Sequence, residues 1–264
     1  MFRAGRYVPD HRCLLLQPLS LDWDKNGRPW RSVEPAWETI VEEKQIYFSV
    51  YGVRFPYRLE KWVHFTSENV LRLDYRVTNL SQFDFDFVWS AHPMFYLEEG
   101  AELVLPEGIQ QIVGTFSIPG NYITYGDEFS WPVDALSDGN PRDFRKLKPK
   151  TSRLAYKYFI KGKMPAGWCG VKFHQSNFSL VLSFPVERVP YLGILPNEGG
   201  WQDLYNIFLE PCTASFDRPD AARYRDQVST LRGGSIYEWH LNLTLVEGTG
   251  FQRANEDGSL EDSK

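Results

Sequence analysis

Cysteine, methionine and histidine are scarce in this sequence of 264 residues, at three, three and five. The cysteines, Cys13, Cys169 and Cys212, are odd in number and widely spaced, so they cannot form a disulfide framework, which needs pairs. No apolar run approaches the roughly 20 residues that a membrane-spanning helix requires, and no membrane partner is expected. Positive charge is also short: 29 Lys and Arg stand against 34 Asp and Glu, a net charge of −5. That leaves no basic footprint for a phosphate backbone, so no nucleic-acid partner is expected. The residues after Met1 run into polar Pro9-Asp10-His11-Arg12 without an apolar segment of signal length, and the expected location is cytoplasmic.

Helical periodicity is nearly missing as well, and a period of two stands in its place. Leu71, Leu73, Tyr75 and Val77 alternate with Arg72, Asp74, Arg76 and Thr78, the pattern of a strand with one face on a core. Phe83, Phe85, Phe87, Trp89 and Ala91 repeat it, with Asn79-Leu80-Ser81 between the two runs read as a hairpin connection. Further strands are expected at 46–51, 57–65, 101–105, 155–160, 170–174, 178–184, 192–195, 204–210 and 235–246. One short helix, 219–225, has Asp217 as its expected N-cap and Pro219 in its first turn. Nine Trp, 14 Tyr and 18 Phe supply a large core. Many strands without regular strand-helix alternation predict an all-β, antiparallel sandwich or barrel. A single domain is expected over 1–247, with 129–150 as a long surface loop and 248–264 as a polar, frayed tail.

Two strands end alike: Ser90-Ala91-His92-Pro93 and Phe208-Leu209-Glu210-Pro211 each put an ionisable residue before a proline, which is expected to stop the ladder. Alternation places His92 opposite Trp89 and Ala91, and Glu210 opposite Ile207 and Leu209. Both side chains should then project from the face away from the core. A histidine and a carboxylate on one such face make an acid/base pair if their strands are neighbours, and are plain surface residues if they are not. His64, His174 and His240 have no partner at metal-ligand spacing, so no metal is expected. Cys212 has no evident base and reads as a packing residue. Lys157, Lys161, Arg142 and Arg145 read either as attractors of an anionic ligand or as a solvated face.

Trp89-Ser-Ala-His92-Pro93-Met-Phe95, Tyr191-Leu-Gly-Ile194, Asn197-Glu-Gly-Gly200-Trp201 and Tyr205-Asn-Ile-Phe-Leu-Glu210-Pro-Cys-Thr213, in this order, resemble aldose 1-epimerases of the galactose mutarotase-like superfamily. The resemblance spans roughly Pro9 to Val246. It implies a large antiparallel β-sandwich holding a sugar on a curved sheet, with no cofactor. By the same resemblance His92 is the general acid toward the ring oxygen and Glu210 the base for the anomeric hydroxyl. It also makes His11 a second sugar-contacting histidine, although Asp10-His11-Arg12 carries arginine where the family has glycine. Trp201 could stack on a sugar face, with Asn197 beside it in the same loop. The family carries several strands before this point, so an edge near Cys13-Leu14-Leu15-Leu16 is expected to recruit a second copy as a homodimer. The function implied is interconversion of the α and β anomers of a free aldose. The alternative is a non-catalytic carbohydrate-binding or regulatory protein on the same fold, and a lyase or hydrolase is a third reading that lacks a second carboxylate.

Overall fold

The alternating runs become strands of two facing sheets in the computed structural model, which describes residues 13–16, 37–53, 55–118, 123–135 and 139–262. The larger sheet has eight strands, in spatial order Glu38–Val41, Gln45–Tyr51, Tyr57–Ser67, Val70–Asn79, Ile236–Glu247, Phe178–Ser183, Trp168–Phe173 and Glu102–Val104. The smaller has six: Glu128–Ser130, Gln111–Ser117, Leu154–Ile160, Tyr191–Glu198, Tyr205–Cys212 and Met94–Tyr96. Every pairing within these two sheets is antiparallel. Tyr75, Val77, Trp239 and Leu241 from the larger sheet meet Tyr158, Leu192, Ile194, Ile207 and Leu209 from the smaller in one buried core. Tyr75 and Trp239 stack at 5.3 Å, and Trp89 packs edge-on against both. This is the expected all-β antiparallel sandwich. Among the described residues no helix is long and apolar enough to cross a membrane.

Five sequence expectations change. Residues 79–81 do not join a hairpin, because Val70–Asn79 is already paired on both sides and offers Phe85–Trp89 no edge. Phe85–Trp89 instead joins a three-stranded sheet with Ser229–Leu231 and, in parallel, Cys13–Leu16. Asn79 steers this crossing: its Nδ2 donates to the carbonyls of Phe83 at 2.9 Å and Leu231 at 3.2 Å.

Pro211 does not end its ladder, since the strand runs on to Cys212 and the Pro211 carbonyl accepts from the Ala91 N–H at 3.0 Å. The segment 129–150 is not a surface loop. It carries the hairpin Val133–Ala135/Pro141–Asp143, and Phe129, Phe144, Leu147 and Arg142 are buried. The tail is not frayed over 251–262: Phe251–Ala254 and Leu260–Asp262 pair as a hairpin. Phe251 is buried against Trp168 and Val181, while the Glu256 and Gly258 carbonyls accept from Asn242 Nδ2 and Thr244 Oγ1. Phe251, Ala254 and Leu260 pack into one small apolar cluster, and these hydrogen bonds help to seat the hairpin. Finally, the helix is Pro219–Tyr224, and its N-cap is Arg218 without a side-chain cap bond.

Candidate active site

His92 and Glu210 come together because the chain segments bearing them run side by side. The Trp89 N–H donates to Thr213 Oγ1 at 2.8 Å, the Thr213 N–H to the Trp89 carbonyl at 2.9 Å, and Ser90 bridges Cys212. One residue beyond Ala91, the His92 imidazole reaches over Glu210. Along Tyr205–Cys212, Ile207 and Leu209 enter the core, so Asn206, Phe208, Glu210 and Cys212 occupy the opposite face. The Phe208 ring meets the His92 ring edge-on at 4.6 Å and fixes its tilt.

His92 Nε2 lies 3.7 Å from Glu210 Oε1, with the His92 side chain 43% exposed and that of Glu210 fully buried. Among the described residues Oε1 has no hydrogen-bond partner. Oε2 is held by Lys157 Nζ at 2.5 Å and lies 3.4 Å from Ser90 Oγ. Lys157 Nζ also donates to Asp217 Oδ1 at 2.6 Å. Burial would lower the Lys157 pKa, but the Glu210 and Asp217 carboxylates outweigh it and hold the ammonium above its ordinary range. Burial pushes the Cys212 thiol up, and its Sγ donates toward Ser90 Oγ at 3.0 Å, which fits a packing residue.

Space for the lysine comes from Gly193, the ladder partner of Glu210. A Cβ there would stand 3.0 Å from Phe159 Cζ and 3.3 Å from Lys157 Cε. Gly193→Ala is therefore expected to displace the ammonium from Oε2 and to cost about 1–3 kcal/mol through overpacking, read by urea unfolding. A variant as stable as wild type would show that this space is not needed.

The other expected site residues lie elsewhere. Asn197 is buried and sits four ladder positions from Gly193, roughly 13 Å along the strand. Its amide is engaged by the Trp201 backbone, Nδ2 donating to the carbonyl at 2.9 Å and Oδ1 accepting from the N–H at 3.0 Å. Asn197 thus shapes the loop that leaves Trp201 45% exposed. His11 falls outside the described residues.

Of the four cations read as a solvated face or anion attractors, Lys157 and Arg142 are buried in ion pairs. Lys161 pairs with Glu128, and Arg145 with Asp143. His64, His174 and His240 stand near Asp74, Glu102 and Glu256. Among the described residues no group of three or more His, Cys, Asp or Glu could hold a metal ion.

Sequence reasoning offered Lys157 only as an anion attractor or part of a solvated face, not as the partner of Glu210, and missed Asp217 as a site residue. The signal for the first was visible: a lone lysine in Leu154–Ile160, whose other residues are all uncharged and whose strand is buried on both faces. A buried lysine demands an anion. Asp217 carried no such signal, because its place before a proline-opened helix already gave it a use.

No protein-family model matches the chain, and no curated protein matches it. Solved structures do. A Synechocystis protein superposes with a TM-score of 0.59 at 15% identity, covering 80% of this chain and 66% of its own. A Klebsiella pneumoniae protein provisionally assigned as an aldose 1-epimerase gives 0.56 at 17% identity, covering 80% and 54%. A galactose mutarotase-like protein from Lactobacillus casei gives 0.55 at 16%, covering 80% and 73%. The chain thus spans between about half and three quarters of these relatives. The fold is the galactose mutarotase-like β-sandwich.

Proposed function

We propose that this protein is an aldose 1-epimerase that interconverts the anomers of a free aldose through the open-chain form. The observation that carries the reading is Glu210 Oε1, a buried carboxylate oxygen without a hydrogen-bond partner among the described residues, 3.7 Å from an exposed imidazole. Ring opening removes a proton from the anomeric hydroxyl and delivers one to the ring oxygen. Both oxygens are bonded to C1, so the acid and the base must both reach the oxygens of that one carbon.

Glu210 Oε1 takes the hydroxyl proton and the O–H electron pair becomes the second C1–O bond. The bond from C1 to the ring oxygen breaks with its electrons going to that oxygen, which takes a proton from His92 Nε2. Rotation about C1–C2 and the reverse steps close the ring on the other face of the carbonyl. His92 is exposed and its Nε2 stands 3.7 Å from Glu210 Oε1, beyond hydrogen-bond length, which leaves that nitrogen to face the ring oxygen.

One observation favours the alternative of a non-catalytic sugar-binding protein: the Glu210 side chain is fully buried, beneath His92 and Lys157. Two-dimensional exchange NMR on anomeric protons separates the two readings, using glucose, galactose and their 6-phosphates with purified protein. Exchange accelerated above buffer for at least one sugar is the expected result. Binding without acceleration would transfer the protein to the alternative.

A further inference from the structure

Lys157 and Asp217 take no part in the ring-opening step, yet they complete the charge of the site. The Glu210 side chain has no exposed surface, and a carboxylate taken wholly out of water binds a proton unless a cation stands beside it. Lys157, itself 5% exposed, is that cation. The same lysine would be stranded once Glu210 took the anomeric proton, because a buried ammonium also needs a counter-charge. Asp217 remains: its carboxylate lies 2.6 Å from the ammonium and its side chain is 40% exposed, so it keeps its own charge in contact with water.

We propose that Lys157 and Asp217 are positioning residues that act in sequence, Lys157 keeping Glu210 ionised before proton transfer and Asp217 holding Lys157 after it. The inference rests on the epimerase reading. Through the step the net charge of the three groups goes from minus one to zero, and the ammonium always has an anion. Among the described residues the titratable groups at Glu210 are His92 from the segment before Met94–Tyr96 and Lys157 from Leu154–Ile160, with Asp217 from the loop before the helix on the far side of the ammonium. Cys212 on its own strand has a thiol that burial keeps neutral.

The two residues then push the base in opposite directions. Removing Asp217 leaves Lys157 dependent on Glu210 alone, which makes the glutamate harder to protonate and a weaker base. Removing Lys157 leaves a buried carboxylate beside a second carboxylate, which makes it easier to protonate. Asp217→Asn is expected to move the acid limb of the exchange profile down by about one pH unit, and Lys157→Met to move it up by about one to three. The plateau rate of Asp217→Asn should fall by up to about tenfold per unit of lost basicity. A purely structural role for either residue would lower the rate without these opposed shifts.

The same shifts can be read without activity. In protein labelled with 13C at the glutamate δ-carbon, Glu210→Gln identifies the Glu210 resonance, and its titration midpoint is compared across wild type and both variants. A midpoint lowered in Asp217→Asn and raised in Lys157→Met is the expected result. An unchanged or raised midpoint in Asp217→Asn would overturn the proposal, and this variant decides alone if Lys157→Met does not fold. Shifted midpoints in a protein without exchange would sink the epimerase reading and leave the charge coupling standing. Full exchange with unshifted midpoints would sink the coupling only.

Discussion

Glu210→Gln is expected to lower anomer exchange by about 10² to 10⁴, the usual loss when one positioned acid or base is removed. The argument turns on what the amide keeps. Its oxygen can still accept from Lys157 where Oε2 does now, and Asp217 still neutralises the ammonium, so the buried cluster stays paired and the strand Tyr205–Cys212 keeps its place. What is lost is the lone pair of Oε1 that would take the hydroxyl proton. Sugar binding, measured by titration calorimetry, should survive while the exchange cross-peaks vanish. His92→Asn should act similarly, because the amide fills much of the imidazole's space but cannot hold the proton for the ring oxygen. Full exchange in Glu210→Gln would show that Glu210 is not the base.

The sandwich was readable because period-two alternation is a local property of the chain. Leu71 to Val77 needs no distant residue to declare which side is apolar, and its neighbour Ile236–Glu247 follows the same rule. Strand connectivity was less readable. Asn79-Leu80-Ser81 has hairpin composition, but whether the next strand pairs depends on the long-range ladder to Ile236–Glu247, which occupies that edge. The hairpin at 251–262 was hidden by averaging, since Phe251 and Ala254 are outnumbered by charged and polar neighbours that face solvent.

Within the site, alternation gave the face of Glu210 correctly, and the family pattern singled out His92. Neither could give their separation, which comes from the pairing of Trp89–Ala91 with Pro211–Thr213. Buried ion pairs were the least readable. A charged residue in a sequence reads first as surface, and only its partner, often more than fifty residues away, shows otherwise. Lys157 with Glu210 and Arg142 with Glu198 are both of this kind.

Arg142→Met is expected to destabilise the protein by about 3–5 kcal/mol at neutral pH, the usual consequence of removing one member of a buried ion pair. Arg142 is 4% exposed, and its Nη2 donates to Glu198 Oε1 at 2.9 Å and to the Tyr156 hydroxyl. Glu198 is fully buried. Its Oε1 also accepts from the Lys148 N–H at 2.7 Å, and among the described residues its Oε2 has no hydrogen-bond partner. Burial already raises the Glu198 pKa above its ordinary 4.5, with Arg142 the chief opposing influence. Without the guanidinium the folded-state value rises further. A carboxyl whose folded pKa lies above its unfolded one is best tolerated below the unfolded value, where it is protonated in both states, and loses stability as pH rises through the folded value. The deficit of Arg142→Met against wild type should therefore be greatest at neutral pH and shrink toward pH 4, as read by urea unfolding at several pH values. Replacing both partners, as in Arg142→Met with Glu198→Leu, removes the stranded charge and should recover most of the loss, since apolar substitutes for buried pairs are often neutral or stabilising. A single variant within about 1 kcal/mol of wild type at neutral pH, the range of an exposed pair, would mean that water reaches Glu198 and that the 129–150 arm is not anchored through this contact.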